Sequence, residues 1–158
     1  MVTRITFIKW CSVFAFLSAG AHFTVLLYWD RYTSDLALGR NSFRWFEYSL
    51  SSSVIITLLF MLWGNFDFVQ LSGVFTINAM MNLFGDMHER MNGGKAAKDV
   101  DWSAFIYGTI CGVVPWFLMF YQITLIPADM WDEIPWFVWA FLLEYILLFF
   151  SFPINMAV

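Results

Sequence analysis

A carboxylate, a run of hydroxyls and an imidazole stand inside otherwise apolar sequence, and these are the groups that could do chemistry. Glu47 lies in RWFEYSLSSS, which opens the apolar run SSSVIITLLFMLWG. On a helix Glu47 shares a face with Ser51 and Val54, so carboxylate and hydroxyl form one polar stripe. Two readings stand here: an inward functional carboxylate, or a boundary residue that reaches water beside Arg44. His22 lies in SAGAHF with Ser18 one turn earlier, so both project from one face. A lone histidine of this kind serves either as a hydrogen-bonded packing residue or as a ligand. Haem would need a second axial ligand, and the other histidine, His88 in DMHER, reads as a solvated residue at a helix end. Asn78 and Asn82 form a polar strip in TINAMMNLF that interhelical hydrogen bonding would explain. Gly108 and Gly112 make a GxxxG followed by Pro115, read as close packing plus a kink. Glu144, in AFLLEYILL, needs a partner or a proton that the sequence does not identify.

The elements that must position these groups follow from composition. Among 158 residues, 61% are hydrophobic and 13% charged, far from a soluble average. Five stretches are long enough to cross a hydrocarbon core as helices, at approximately 8–29, 43–64, 67–88, 102–125 and 134–156. The chain therefore reads as an all-α membrane protein, a single membrane domain over residues 1–158. Arg4 and Lys9 would also suit a signal peptide, but the first run is longer than such a core and ends in YWDRY without a small-residue cleavage site. It is read as a retained helix. Inside the membrane a charged side chain costs about 2.5–3.5 kcal/mol on insertion scales, so intramembrane Glu and His are functional candidates by default.

Connection charges suggest an orientation. The first connection carries Arg31, Arg40 and Arg44, the third Arg90, Lys95 and Lys98, and the second and fourth only acids, among them Asp129, Asp132 and Glu133. The positive-inside rule then places the first and third connections and the C-terminus in the cytoplasm, with Arg4 and Lys9 opposing. Cys11 and Cys111 both sit in apolar runs and are read as packing residues. No nucleotide loop, metal-ligand spacing or nucleophile-and-base motif is present, so neither an enzyme nor a metal site nor a nucleic-acid partner is expected. An aromatic content of 22% could wall a flat apolar ligand, which leaves a transporter, a channel or a chromophore-binding bundle.

RWFEYSLSSS resembles the third-helix signature of the heliorhodopsins, RWxEYSxSxSxM. SAGAHF with DRYTSDLALGRNSF is similar to that family's second helix and the following loop. GVFTINAMMNLFG, DWSAFIYGTICGVVPWF and IPWFVWAFLLEYILLFFSFPINM resemble its fourth, fifth and sixth helices in order. The resemblance implies a retinal-binding, light-responsive member of a seven-helix microbial-rhodopsin-like bundle, acting by conformational change rather than pumping. It implies that Glu47 is the counterion of a protonated Schiff base, since a nearby carboxylate favours the charged imine. It further implies that Ser18 and His22 line a polar pocket beside that group. Ser52, Asn78, Gly85 and Trp116 match positions around the chromophore. The expected partners are membrane lipid, a second copy in a homodimer by family resemblance, and a cytoplasmic protein.

The departures are a first and a seventh helix not represented, and with the seventh the lysine that holds retinal. Lys9, Lys95 and Lys98 do not match it. Truncation by a gene fragment or a record boundary is the simplest expectation. Ile55 stands where the family prefers Met, and Glu144 where a small or apolar residue is expected. The competing functions are an ion or proton channel or transporter using Glu47, His22 and Glu144, and a non-photochemical partner-binding bundle.

Overall fold

The computed structural model describes residues 7–157, with side-chain surroundings for residues 9–151. Six α-helices follow in order: α1 (Phe7–Leu27), α2 (Trp29–Ala37), α3 (Ser42–Leu62), α4 (Phe68–Asn92), α5 (Ser103–Thr124) and α6 (Trp136–Ala157). No strand occurs among the described residues. By length and hydropathy α1, α3, α4 and α5 can each cross a membrane, and the described part of α6 offers a shorter apolar stretch, Trp136–Ser151. Arg4, one of the two charges opposing the expected orientation, lies outside the described residues.

Local sequence sets the helix ends. The Asn41 side chain accepts from the Arg44 backbone N–H at 3.1 Å, and Asp67 accepts from that of Gln70 at 2.8 Å, so each caps a helix start. Gly64 and Gly94 adopt φ of +82° and +79° in the turns after α3 and α4, a conformation that disfavours other residues. Asp101, before α5, is held below the usual carboxylate range by the backbone N–H of Ser103 and then by its hydroxyl.

The helix α3 is central: α1 and α4 pack on it, α5 packs on α4, and α6 touches α3. Val54, Ile56 and Phe60 of α3, Val74 of α4 and Met119 of α5 are buried in the shared core. Trp116 of α5 joins α6 through ring contacts with Tyr145 at 5.5 Å and Phe149 at 5.3 Å. The buried Ser53 and Thr57 hydroxyls of α3 are satisfied within the helix: Ser53 donates to the Ser49 carbonyl and Thr57 to that of Ser53, both at 2.7 Å. Small hydroxyl residues can therefore lie at the packed face without orphaned donors. Phe16, Phe23, Phe117 and Leu147 point outward, as lipid-facing residues should.

Three expectations change. The first connection is not merely a loop, because its Trp29–Ala37 segment forms α2. Its apolar residues recur at helical rather than random spacing. The helix α4 runs past residue 88 to Asn92, and His88 is buried rather than solvated. An Arg90–Asp86 pair at 2.7 Å supports that last turn, while the His88 ring lies against Trp102 and Phe105. Cys11 faces outward instead of packing inside. The GxxxG reading agrees with the geometry: a Cβ on Gly108 would stand 3.1 Å from Phe84 Cβ, and one on Gly112 2.6 Å from Met81 Sδ.

Candidate functional site

Between α3, α4, α5 and α6, with Phe14 of α1 at one edge, lies a cavity of about 410 Å³. Trp45, Tyr48, Ile55, Met81, Phe105, Val113, Tyr145 and Phe149 give it mainly apolar and aromatic walls. Its polar groups are few: Ser51, Ser52, Asn82, Thr109, Ser151 and one carboxylate, Glu47. A volume in this range with sparse convergent polar groups suits a small organic ligand.

Glu47 is held from a second helix. Ser18 of α1 donates its hydroxyl to Glu47 Oε1 at 3.0 Å, across 29 residues of sequence. The His22 ring contacts the Ser18 carbonyl at 2.8 Å through Nδ1, and since a carbonyl only accepts, Nδ1 is assigned the hydrogen. His22 is otherwise exposed and connects to Glu47 through Ser18. Arg44 does not assist Glu47. It pairs with Glu89, whose other oxygen accepts from the Asn41 backbone N–H at 2.8 Å, tying the start of α3 to the end of α4. The reading of Glu47 as a boundary residue reaching out beside Arg44 thus loses its partner.

Ser52, also on α3, is the hub of a polar network at the cavity wall. Its Oγ donates to the Tyr48 carbonyl at 2.6 Å and accepts from Asn78 Nδ2 at 2.8 Å and Asn82 Nδ2 at 3.0 Å. Asn78 also donates to Ser53 Oγ at 3.1 Å, while its own Oδ1 is buried without a hydrogen-bond partner. The Tyr145 hydroxyl donates to the Ser52 carbonyl at 3.3 Å. Changing Ser52 to Ala removes the shared acceptor of two amide donors and is expected to cost about 1–2 kcal/mol. Ser53→Ala, which removes one acceptor from Asn78 alone, should cost less. Thermal unfolding in detergent checks the order, and an equal or larger loss for Ser53→Ala would rule out the hub.

Of the residues singled out from sequence, Glu47, Ser52 and Gly85 line the cavity. Ser18 and His22 connect to it through Glu47. Asn78 stands behind Ser52, and Trp116 behind Tyr145 and Phe149, which do line it. Glu144 is exposed on α6 and is not among the lining residues. Sequence reasoning did not single out Tyr145, Phe105 or Thr109, because a wall residue in an apolar helix looks like any lipid-facing one. Trp45 and Phe149, read only as part of longer matching segments, also gain a place here.

The walls combine aromatic side chains with one carboxylate, and Gly85 leaves space that the Trp45 ring fills. None of Lys9, Lys95 or Lys98 lines the cavity. Compared with known families, residues 1–158 match the family model described as Heliorhodopsin. No curated protein matches the chain.

Proposed function

The chain belongs to the heliorhodopsin family, a rhodopsin-like family of light-sensing integral membrane proteins, and from that premise we propose that the cavity between α3, α4, α5 and α6 is a retinal site. The observation that carries this reading is the single carboxylate in an aromatic cavity, with Ser18 fixing its orientation. Retinal, when bound, supplies the light absorption. This chain's residues do the rest. Phe105, Tyr145 and Phe149 confine the polyene, and Glu47 sets a negative charge at one end of the apolar walls.

In so poorly hydrated a site an anion favours any nearby cation strongly. Ser18, by donating to Oε1, holds the carboxylate in place at the cavity wall. The Ser52–Asn78–Asn82 network gives a second polar region that could respond to ligand shape. The protein's role in this account is sensing through conformational change, without catalysis. A channel or transporter reading would require Glu47, His22 and Glu144 along one path. Glu144 is exposed and does not line the cavity, and His22 reaches it only through Ser18.

Titration of the purified chain with all-trans retinal tests the site. Saturable binding is expected, and Ile55→Trp, which fills the cavity from α3, should weaken it at least about tenfold, a loss of about 1.4 kcal/mol or more. Borohydride should leave no covalent retinyl adduct, because no lysine lines the cavity. Equal binding by Ile55→Trp would place retinal elsewhere.

We also propose that the connection between α4 and α5 is cytoplasmic, on the strength of Arg90, Lys95 and Lys98. Ala96 is the labelling position of choice: it is exposed and has φ of −69°, whereas Gly94 at +79° would be strained by a side chain. With Cys11 and Cys111 replaced, Ala96→Cys should resist an impermeant thiol reagent in intact cells. Labelling without permeabilisation would reverse the orientation.

A further inference from the structure

We propose that α2 is an interfacial membrane helix, with Trp29, Tyr32 and Leu36 seated at the boundary between lipid headgroups and acyl chains. The helix has nine residues and none is buried by the protein. A free helix that short is marginal in water, so its formation calls for a surface that its side chains can enter. Its pattern provides the matching face. Trp29, Tyr32, Thr33 and Leu36 recur at i, i+3, i+4 and i+7, while Asp30, Arg31, Ser34 and Asp35 occupy the other side. The Trp29 and Tyr32 rings lie 5.9 Å apart, which places them on one face.

Two further observations identify lipid as the occupant. First, α2 continues a surface that already faces lipid: Phe23, Leu26 and Leu27 at the end of α1 are exposed, and Trp29 begins α2 after Tyr28 alone. Since α1 is long and apolar enough to span the membrane, its last turn fixes α2 at the depth of the bilayer surface. Trp and Tyr are the residues enriched at that depth, and a short helix with one apolar and one charged face lies in its plane. Second, the helix touches the bundle lightly, through an edge contact of Tyr32 with Phe43 at 6.0 Å, leaving Trp29 and Leu36 uncovered. Asp30, Arg31 and Asp35 give no excess of positive charge, so the attraction is apolar burial and not recognition of anionic headgroups. Each end is tied to a span, through Tyr28 to α1 and through Gly39, at φ +68°, towards α3. The helix would then brace those two spans against the bilayer surface.

The test is site-directed spin labelling of the full chain in phosphatidylcholine vesicles, with Cys11 and Cys111 replaced. Labels at Leu36→Cys and Trp29→Cys should collide with oxygen several-fold more, relative to a water-soluble nickel complex, than labels at Ser34→Cys and Arg31→Cys. Adding anionic lipid should leave the contrast unchanged. Equal, water-like accessibility at all four positions would overturn the proposal. So would shielding of Leu36 and Trp29 from both reagents, which would indicate a protein partner, or a contrast that appears only with anionic lipid. Retinal is absent throughout, so the result is independent of the assignment of the cavity.

Discussion

Glu47→Gln is expected to lower the pH at which the wild-type cavity holds a protonated retinal imine by roughly one to three units. The probe is the imine of retinal with butylamine, a visible-absorbing cation when protonated, which needs no lysine from the protein. With the imine in the proposed site, the Glu47 carboxylate is expected to raise the pKa of this cation. Glutamine keeps the shape and can still accept from the Ser18 hydroxyl, so the hydrogen bond across α1 and α3 persists while the charge is lost. The imine then gives up its proton at lower pH, a change of about 1.4 kcal/mol per unit. The remaining protonated form should absorb further to the red, because positive charge is less confined to the nitrogen. Ser18→Ala should move the midpoint in the same direction by less, since the carboxylate remains and only its orientation relaxes. His22→Ala should move it least, because the imidazole reaches Glu47 through the Ser18 carbonyl alone. Identical titrations for wild type and Glu47→Gln would remove the electrostatic role from Glu47.

Gly85→Ala should destabilise the bundle by about 1–3 kcal/mol through overpacking. A Cβ built there stands 2.3, 2.4 and 2.7 Å from three atoms of the Trp45 ring. Trp45 is buried at 3% exposure and stacks under the Arg44 guanidinium, so the space open to its ring is the cavity that it lines. Displacing the ring also narrows a cavity that both residues line. Retinal affinity should therefore fall together with the unfolding midpoint. In Trp45→Phe the smaller ring vacates part of the contested space. The double variant should consequently lose less stability than the two single losses added together, a coupling that a cycle of unfolding measurements reads directly. Simple additivity would show that Gly85 and Trp45 do not compete for the same space.

The two glutamates show what was legible in the sequence and what was not. Apolar length alone locates the long helices to within a few residues, because the hydrocarbon core demands it. Rotation of each helix about its axis is not legible in the same way. Lipid and protein interior both accept apolar side chains, so α3 and α5 carry no clear stripe separating wall residues from outer ones. Thus Glu47 and Glu144 looked alike as isolated carboxylates in apolar runs, yet Glu47 lines the cavity and Glu144 faces out. The partner of Arg44 was similarly hidden. Glu89 is 45 residues away, and proximity in sequence favoured Glu47 instead. His88 looked solvated because DMHER is polar, but its covering residues, Trp102 and Phe105, arrive from the next helix and the turn before it. The polar strip of Asn78 and Asn82 was readable on one helix, and only folding supplies Ser52 as the oxygen they share.

Photocross-linking with a retinal analogue that carries a diazirine on its ring tests the central claim most directly, because it reports where the ligand sits. The account predicts adducts on cavity-wall peptides of α3, α5 and α6, around Ile55, Phe105 and Phe149, competed away by unlabelled retinal and lost in Ile55→Trp. Adducts confined to the outward residues Phe16, Phe23 and Phe117, and unaffected by competitor, would contradict it.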